Sequence, residues 1–223
     1  MIQHFHRELD KIKKMILSLS ALVEERVHLA IISVMENDAE IALNIIKSDQ
    51  EIDAREVEIE EECLKVIALH QPVAIDLRFL ITVIKINSDL ERIGDQAVNI
   101  AERVQVIAKQ NPCDFVFDYT VMADKAQQML HDSLDAFVNL DSDLAHRVIE
   151  MDDEVDRLQS DAYDQIKQAM EDKRDCLSYL INLLLVSRHL ERLADHATNI
   201  AEEIIFLVEG EIVRHSDEKE RKA

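Results

Sequence analysis

Apolar residues recur three and four positions apart along almost the whole chain, the spacing that gathers them on one face of an α-helix. The interruptions are few. Asn37-Asp38 breaks the first periodic run, and Asp38 suits the N-cap of the next. Pro72 in "HQPVAIDLR" fits the first turn of a helix, where the missing N–H goes unused. "KQNPCDF" at 109–115 reads as a linker, and "NLDSD" at 139–143 and "EDKRDC" at 171–176 as further breaks. The pattern predicts six helices at roughly 3–36, 38–70, 72–110, 116–139, 141–171 and 174–209. Beyond Gly210, "EIVRHSDEKERKA" loses the period and is expected to fray.

The second trio of helices repeats the first. "ALNIIKSDQEID" at 42–53 aligns with "AHRVIEMDDEVD" at 145–156, and "LERIGDQAVNIAE" at 90–102 returns as "LERLADHATNIAE" at 190–202. Recurrence of helix order, breaks and motifs indicates duplication of a three-helix unit. Short connections make neighbouring helices antiparallel, so the expected fold is all-α, two tandem antiparallel three-helix bundles. The expected units are 1–111 and 112–210, with 211–223 as a charged tail.

Within the repeated motif, Glu91, Asp95, Asn99 and Glu102 share one stripe, opposite a seam of Ile93, Ala97, Ile100 and Val104. Earlier in the same helix, Leu77, Leu80, Ile81 and Ile84 fall on the line that later carries the acids. Phe79, Val83, Ile86 and Leu90 continue the seam there. The sixth helix does likewise, with Leu177, Leu180, Ile181 and Leu184 preceding Glu191, Asp195, Asn199 and Glu202. Gly94 lies beside the acids, where a missing side chain lets something approach the backbone; Ala194 replaces it in the second copy. A mid-helix glycine costs about 1 kcal/mol relative to alanine.

The middle helix of each half adds a carboxylate pair, Asp49 with Asp53 and Asp152 with Asp156. Such i, i+4 pairs repel, by a few tenths of a kcal/mol each. Pairs on facing helices of a bundle are a recognised way to hold hard or borderline cations. One metal site per half is therefore expected, from Asp49, Asp53, Glu91 and Asp95, and from Asp152, Asp156, Glu191 and Asp195. The competing reading is a solvated acidic face, which a single pair would favour; four pairs in matching places favour metal. Arg92 and Arg192 lie off the stripe and suit plain salt bridges. Asn99 and Asn199 suit either support of the ligands or local capping.

His28 and His131 occupy equivalent positions. "ERVH" at 25–28 has the Glu-x-x-His form of di-iron bundles, but its counterpart "QMLH" at 128–131 carries Gln128, which disfavours a ferritin-type site. His189 and His196 are read as surface residues.

Composition narrows the function classes. A net charge of −21 repels nucleic acid and anionic head groups, and favours cations and basic partner surfaces. With two glycines there is no Gly-rich phosphate loop. No nucleophile constellation appears, and catalysis has no candidate beyond the carboxylates themselves, so no catalytic residue is assigned; the leading expectation is a chain that is not an enzyme. Cys63, Cys113 and Cys176 share no metal-ligand spacing and suit a reducing cytoplasm. No run reaches the length of a membrane span or forms a signal peptide, so membrane contact would be indirect, through partners.

"HQPVAIDLR", "LERIGDQAVNIAE", "MLHDSLDAF" and "LERLADHATNIAEE" resemble the PhoU family of phosphate-transport accessory proteins, over nearly the whole chain. The resemblance implies a cytoplasmic, often homodimeric pair of three-helix bundles. It implies negative regulation of phosphate uptake and of the starvation response, between the ATPase of a phosphate ABC transporter and a sensor histidine kinase. It also implies multinuclear iron or zinc clusters at Glu/Asp-x-x-x-Asp motifs, here Asp49/Asp53, Glu91/Asp95, Asp152/Asp156 and Glu191/Asp195. The alternatives are a carboxylate-bridged di-metal enzyme or metal-storage bundle, and a plain helical scaffold.

Overall fold

The computed structural model describes residues 2–110 and 113–213, with side chains from His4 onward. The first half contains α1 (Ile2–Met35), α2 (Ala39–Lys47), α3 (Gln50–His70) and α4 (Ala74–Ile107). The second contains α5 (Thr120–Asn139), α6 (Ser142–Asp172) and α7 (Leu177–Glu209), the last preceded by a single 3₁₀ turn at Arg174–Cys176. No strand occurs among the described residues. α1, the broken pair α2/α3, and α4 make one three-helix bundle; α5, α6 and α7 make the other. Asn111 and Pro112 of the expected linker, and 214–223 of the expected tail, lie outside the described residues.

The seams are those of the apolar pattern. Ile12, Ile16, Leu19 and Val23 of α1 are fully buried with Ile52, Ile59 and Val66 of α3 and Val83, Ile86, Leu90, Ile93 and Ile100 of α4. Met129, Leu130, Val148, Val155, Ile166, Leu193 and Ile200 do the same in the second bundle. Leu80 and Leu180, which the periodicity places on the acid line, are buried in the seam instead. That line sits beside the seam and the core reaches round to it, leaving Leu77, Ile81, Leu177 and Ile181 exposed.

The fifth helix starts at Thr120 and not at 116, and two further differences from the pattern have a local cause. The expected helix over 38–70 is two helices, broken at Ser48-Asp49. Ser48 turns its hydroxyl back onto the carbonyls of Asn44 (2.7 Å) and Ile45 (3.0 Å), the competition for backbone acceptors that makes serine a poor mid-helix residue. Arg26, buried on α1, donates to the same Ile45 carbonyl at 3.3 Å. At the equivalent places of the second bundle stand Met151 and Met129, which offer the carbonyls nothing, and α6 runs unbroken. The second difference is Pro72, which precedes α4 and does not enter its first turn. Gln71 takes the left-handed conformation (φ 48°) that closes α3, its N–H donating to Ile67 O at 3.0 Å. Pro72 therefore acts as the stop after that cap. Asp38 caps α2 as expected, accepting from the backbone N–H groups of Glu40 (2.7 Å) and Ile41 (3.0 Å).

The bundles pack through α4 against α7, antiparallel, and α1 against α5. Across the first seam His196 donates to Asp89 (3.0 Å) and His189 to Gln96 (2.9 Å). Positions 89 and 189, and 96 and 196, are repeat equivalents, so exchanging the bundles maps one pair onto the other. The second seam behaves the same way, with His28 accepting from Gln127 (3.2 Å) and His131 donating to Glu24 (2.9 Å). The duplicated units thus face each other about a pseudo-two-fold axis.

Candidate metal centres

Each carboxylate set predicted from the repeat is brought together. Asp49 ends the break before α3 and is near Asp95 of α4; Asp53 stands one turn into α3 and is near both Glu91 and Asp95. Asp152 and Asp156 on α6 face Glu191 and Asp195 on α7 in the same manner. Electrostatics records the proximity. Asp49 is held above the ordinary carboxylate range by burial and then by Asp53 and Asp95. Glu91 is raised by burial, Asp95 and Asp53, and Asp95 by burial and Asp53. In the second set, burial and then Asp195 and Asp156 push Asp152 up to about 6, while burial, Glu191 and Asp156 push Asp195 up to about 6. Glu191 is raised by burial and Asp156. Carboxylates that repel one another, some partly buried and Asp53, Asp95 and Asp156 exposed, are what a multivalent cation would relieve.

The donor set therefore suits a cation bound through oxygen. The side chains as they stand do not converge on one point, for among the described residues no three His, Cys, Asp or Glu are placed at metal-holding geometry. Binding at these sites requires the carboxylates to close in around the ion.

The two sites are not copies of each other in detail. Arg26, whose charge lowers Asp49, has Met129 as its equivalent. Glu56, itself raised by burial, Glu60 and Asp53, adds a fifth carboxylate near Glu91, where the second bundle has Gln159. Thr198 donates to Asp152 at 3.2 Å, where the first bundle has Val98. Sequence reasoning missed Arg26, Glu56 and Thr198. The signal available was their asymmetry between otherwise matched repeats.

At Gly94 a side chain of α3 lies close against the α4 backbone. A Cβ built there would lie 2.8 Å from Ile52 Cδ1 and 3.3 Å from Ile52 Cγ2, so the side chain filling the missing space is the α3 residue preceding Asp53. The repeat equivalents are Val155 and Ala194, both buried. Ile plus Gly and Val plus Ala contain the same number of side-chain carbons, so a methyl group has moved from one helix to its neighbour.

The histidines are corrected by the fold. His189 and His196 are half-buried at the α4–α7 seam because α7 faces α4 there, and neither is an ordinary surface residue. Burial, with Arg103, Arg192 and Arg188 nearby, takes His189 down to about 4, which keeps the ring neutral. His28 and His131 face Gln127 and Glu24 across the bundle interface, away from the acid clusters. Asn199 donates to Asp89 (3.3 Å) and so serves the seam. Asn99 lies half-buried on α4. Arg92 and Arg192 are exposed, and each offsets only part of the rise at its neighbouring glutamate, without a close ion pair among the described residues. No described helix is long and apolar enough to cross a membrane.

A family model described as PhoU domain matches the chain twice, over residues 16–104 and 119–204. The chain is 40% identical over 220 residues to a protein of Aquifex aeolicus named phosphate-specific transport system accessory protein PhoU homolog, covering 96% of this chain and 97% of that one. A Pseudomonas putida protein of the same name is 37% identical over 216 residues, covering 96% and 84%. The crystal structure of PhoU from Pseudomonas aeruginosa superposes with a TM-score of 0.88 at 35% identity, covering 93% of this chain and all (100%) of that one. The phosphate transport system regulatory protein PhoU from Streptococcus pneumoniae superposes at 0.86 with 30% identity, covering 94% and 99%.

Proposed function

Because the chain belongs to the PhoU family, we propose that it is the accessory protein of a phosphate-specific transport system, a negative regulator of phosphate uptake and of the starvation response. The observation that carries this reading is similarity along 96% of the chain to a relative named as an accessory protein of a phosphate-specific transport system. It acts as a cytoplasmic, homodimeric adaptor that docks on the transporter ATPase and on a sensor histidine kinase. The net charge of −21 supports basic partner surfaces as its docking targets. It works by binding and not by catalysis; the relatives are named accessory and regulatory proteins.

The same reading includes metal. Asp49, Asp53, Glu91 and Asp95 hold iron or zinc ions in one bundle, and Asp152, Asp156, Glu191 and Asp195 hold them in the other. When bound, the ions supply positive charge that cancels the repulsion on each acidic face. The carboxylates bind and orient them, and Gly94 lets α3 and α4 approach closely enough for both pairs to contribute.

Deleting the gene in its host tests the regulatory role. Starvation-responsive transcription should become constitutive in phosphate-rich medium, and unchanged transcription overturns the reading. Co-purification of the transporter ATPase with the tagged chain tests the adaptor. Elemental analysis of native protein tests the metal: Glu91→Ala with Asp95→Ala should lower bound metal, and wild type that stays metal-free after reconstitution overturns that part.

A further inference from the structure

A groove of about 450 Å³ opens between the bundles, where α1 runs past the start of α4 and the ends of α5 and α7. Phe79 and Phe137, one from each bundle, line it with their rings within 9° of parallel and their centroids 6.5 Å apart. The rest of the apolar lining is open to solvent. Ile75, Val138 and Leu140 are 64%, 55% and 55% exposed, and Leu17 and Val208 are 40% exposed. Exposed apolar side chains gathered from both bundles into one concave place mark a contact surface.

The charged residues lining the groove are Lys13 and Asp76, one of each sign. Lys13 holds its ammonium over the Phe79 ring, 5.3 Å from the centroid, and neither charge is in an ion pair among the described residues. On a chain of net charge −21 a second copy is repelled on balance, and a face whose charges cancel is where that repulsion is least. A two-fold axis through the groove sets each Lys13 against Asp76 of the partner subunit, so the face is complementary to itself.

Leu140 ends α5 in the left-handed conformation (φ 53°), which leucine disfavours and asparagine tolerates. Its repeat equivalent is Asn37 (φ 50°), an ordinary residue for such a cap. More than half of Leu140 is exposed, so contacts within its own chain do not account for an apolar side chain at that place. The charge pair is not duplicated. The pseudo-two-fold maps Lys13 onto Val116 and Asp76 onto Cys176, and the α1 wall has no helical counterpart because α5 begins only at Thr120. One self-complementary face per chain closes at two copies and does not propagate.

We propose, on the homodimeric reading above, that this groove is the face on which two copies meet about a two-fold axis, each Lys13 pairing with Asp76 of the partner subunit. Leu140 and its apolar neighbours are then covered by the second copy. Because α1 and α4 supply one side of the groove and α5 and α7 the other, association also clamps the junction between the bundles of each chain.

The full-length chain, freed of metal by chelator, is measured by sedimentation equilibrium across a range of micromolar concentrations. Wild type should be a dimer. Leu140→Asn copies Asn37 and keeps the cap, whereas Lys13→Glu and Asp76→Lys each set like charges opposite one another. All three should weaken association about tenfold or more. Lys13→Glu combined with Asp76→Lys should return it to near the wild-type value, because the exchange restores opposite charges across the axis. Helical circular dichroism should be retained in every variant. A wild-type dimer that none of the variants weakens overturns the face and leaves the homodimer standing. A wild type that stays monomeric overturns both, and leaves the groove to a different occupant. Weakening by the single charge variants without recovery in the exchanged pair overturns the Lys13–Asp76 contact.

Discussion

The displaced methyl group between α3 and α4 makes a quantitative test of what sets the spacing at the first acidic site. Gly94→Ala gains about 1 kcal/mol of helix propensity. It also places a methyl 2.8 Å from Ile52 Cδ1 and 3.3 Å from Cγ2, and Ile52 is buried with its neighbours packed around it. Overpacking of this kind costs about 1–3 kcal/mol, so the single variant should range from neutral to about 2 kcal/mol less stable. Ile52→Val alone removes a buried methyl and should cost about 0.5–1.5 kcal/mol. Together the two reproduce the Val155/Ala194 arrangement of the second bundle, and the atom responsible for the 2.8 Å contact is gone. Ile52→Val should therefore be neutral or stabilising when Gly94 is already alanine, a favourable coupling of about 1 kcal/mol or more. Urea unfolding of the four proteins, followed by circular dichroism with chelator present, measures it. Additivity within about 0.3 kcal/mol would refute the complementary-volume argument. It would also mean that Gly94 is present for some reason other than Ile52.

The acidic sites should make the metal-free protein less stable as pH rises. The native carboxyls of Asp152 and Asp195 titrate near 6, against 3.8 for the ordinary group. Between those values the folded chain holds more protons than the unfolded one, so stability falls with increasing pH across roughly 4 to 6 and is unaffected by these groups below that window. Thermal melts of chelated protein should show this slope, and Asp152→Asn with Asp195→Asn should flatten it. At neutral pH, zinc or iron(II) at a hundred times its Kd should add about 2.7 kcal/mol, or roughly 5–10 °C in Tm; no shift would count against the metal sites. Arg26→Met, copying Met129, should raise the Asp49 pKa, measurable by carboxyl NMR titration, because the cation that lowers it is gone. Asp89→Ala should destabilise the chain by about 1–3 kcal/mol in urea, since His196 and Asn199 both lose their acceptor at the seam.

Much of this was legible in the chain, because helices without turn residues leave a clean period and duplication shows it twice. The six-helix plan and the facing of the four acidic pairs follow from that period. Features set by one helix acting on another were not legible. The break at Ser48 combines a serine hydroxyl on the Asn44 and Ile45 carbonyls with the Arg26 guanidinium on the Ile45 carbonyl alone, and the latter comes from α1. Leu80 and Leu180 were misplaced because a helical wheel has no record of how far a neighbour reaches around it. His189 and His196 were misread for a related reason. A pattern internal to one bundle says nothing about the face that a second bundle will cover.

The places where the repeats disagree bear most directly on how the proposed sites differ. Where the second bundle has Met129, Met151 and Gln159, the first has Arg26, Ser48 and Glu56. Ser48 and Arg26 together end α2, and the new helix then begins at Gln50 with Asp49 at its N-cap position. Arg26 also supplies a buried cation that offsets part of the repulsion at Asp49, while Glu56 adds repulsion at Glu91. The second bundle has an unbroken helix and no such cation, and its Asp152 and Asp195 reach about 6. A bound cation thus relieves more strain at the second site, where exposed Arg188 and Arg192, His196 and the Thr198 hydroxyl offset only part of it, and competes with buried Arg26 at the first. On the metal reading proposed above, the sites should fill in order, the second before the first. Calorimetric titration of the chelated protein with zinc should resolve two phases, with Asp152→Asn plus Asp195→Asn removing the tighter one. One phase that the Arg26→Met variant leaves unchanged would show that the asymmetry has no bearing on binding.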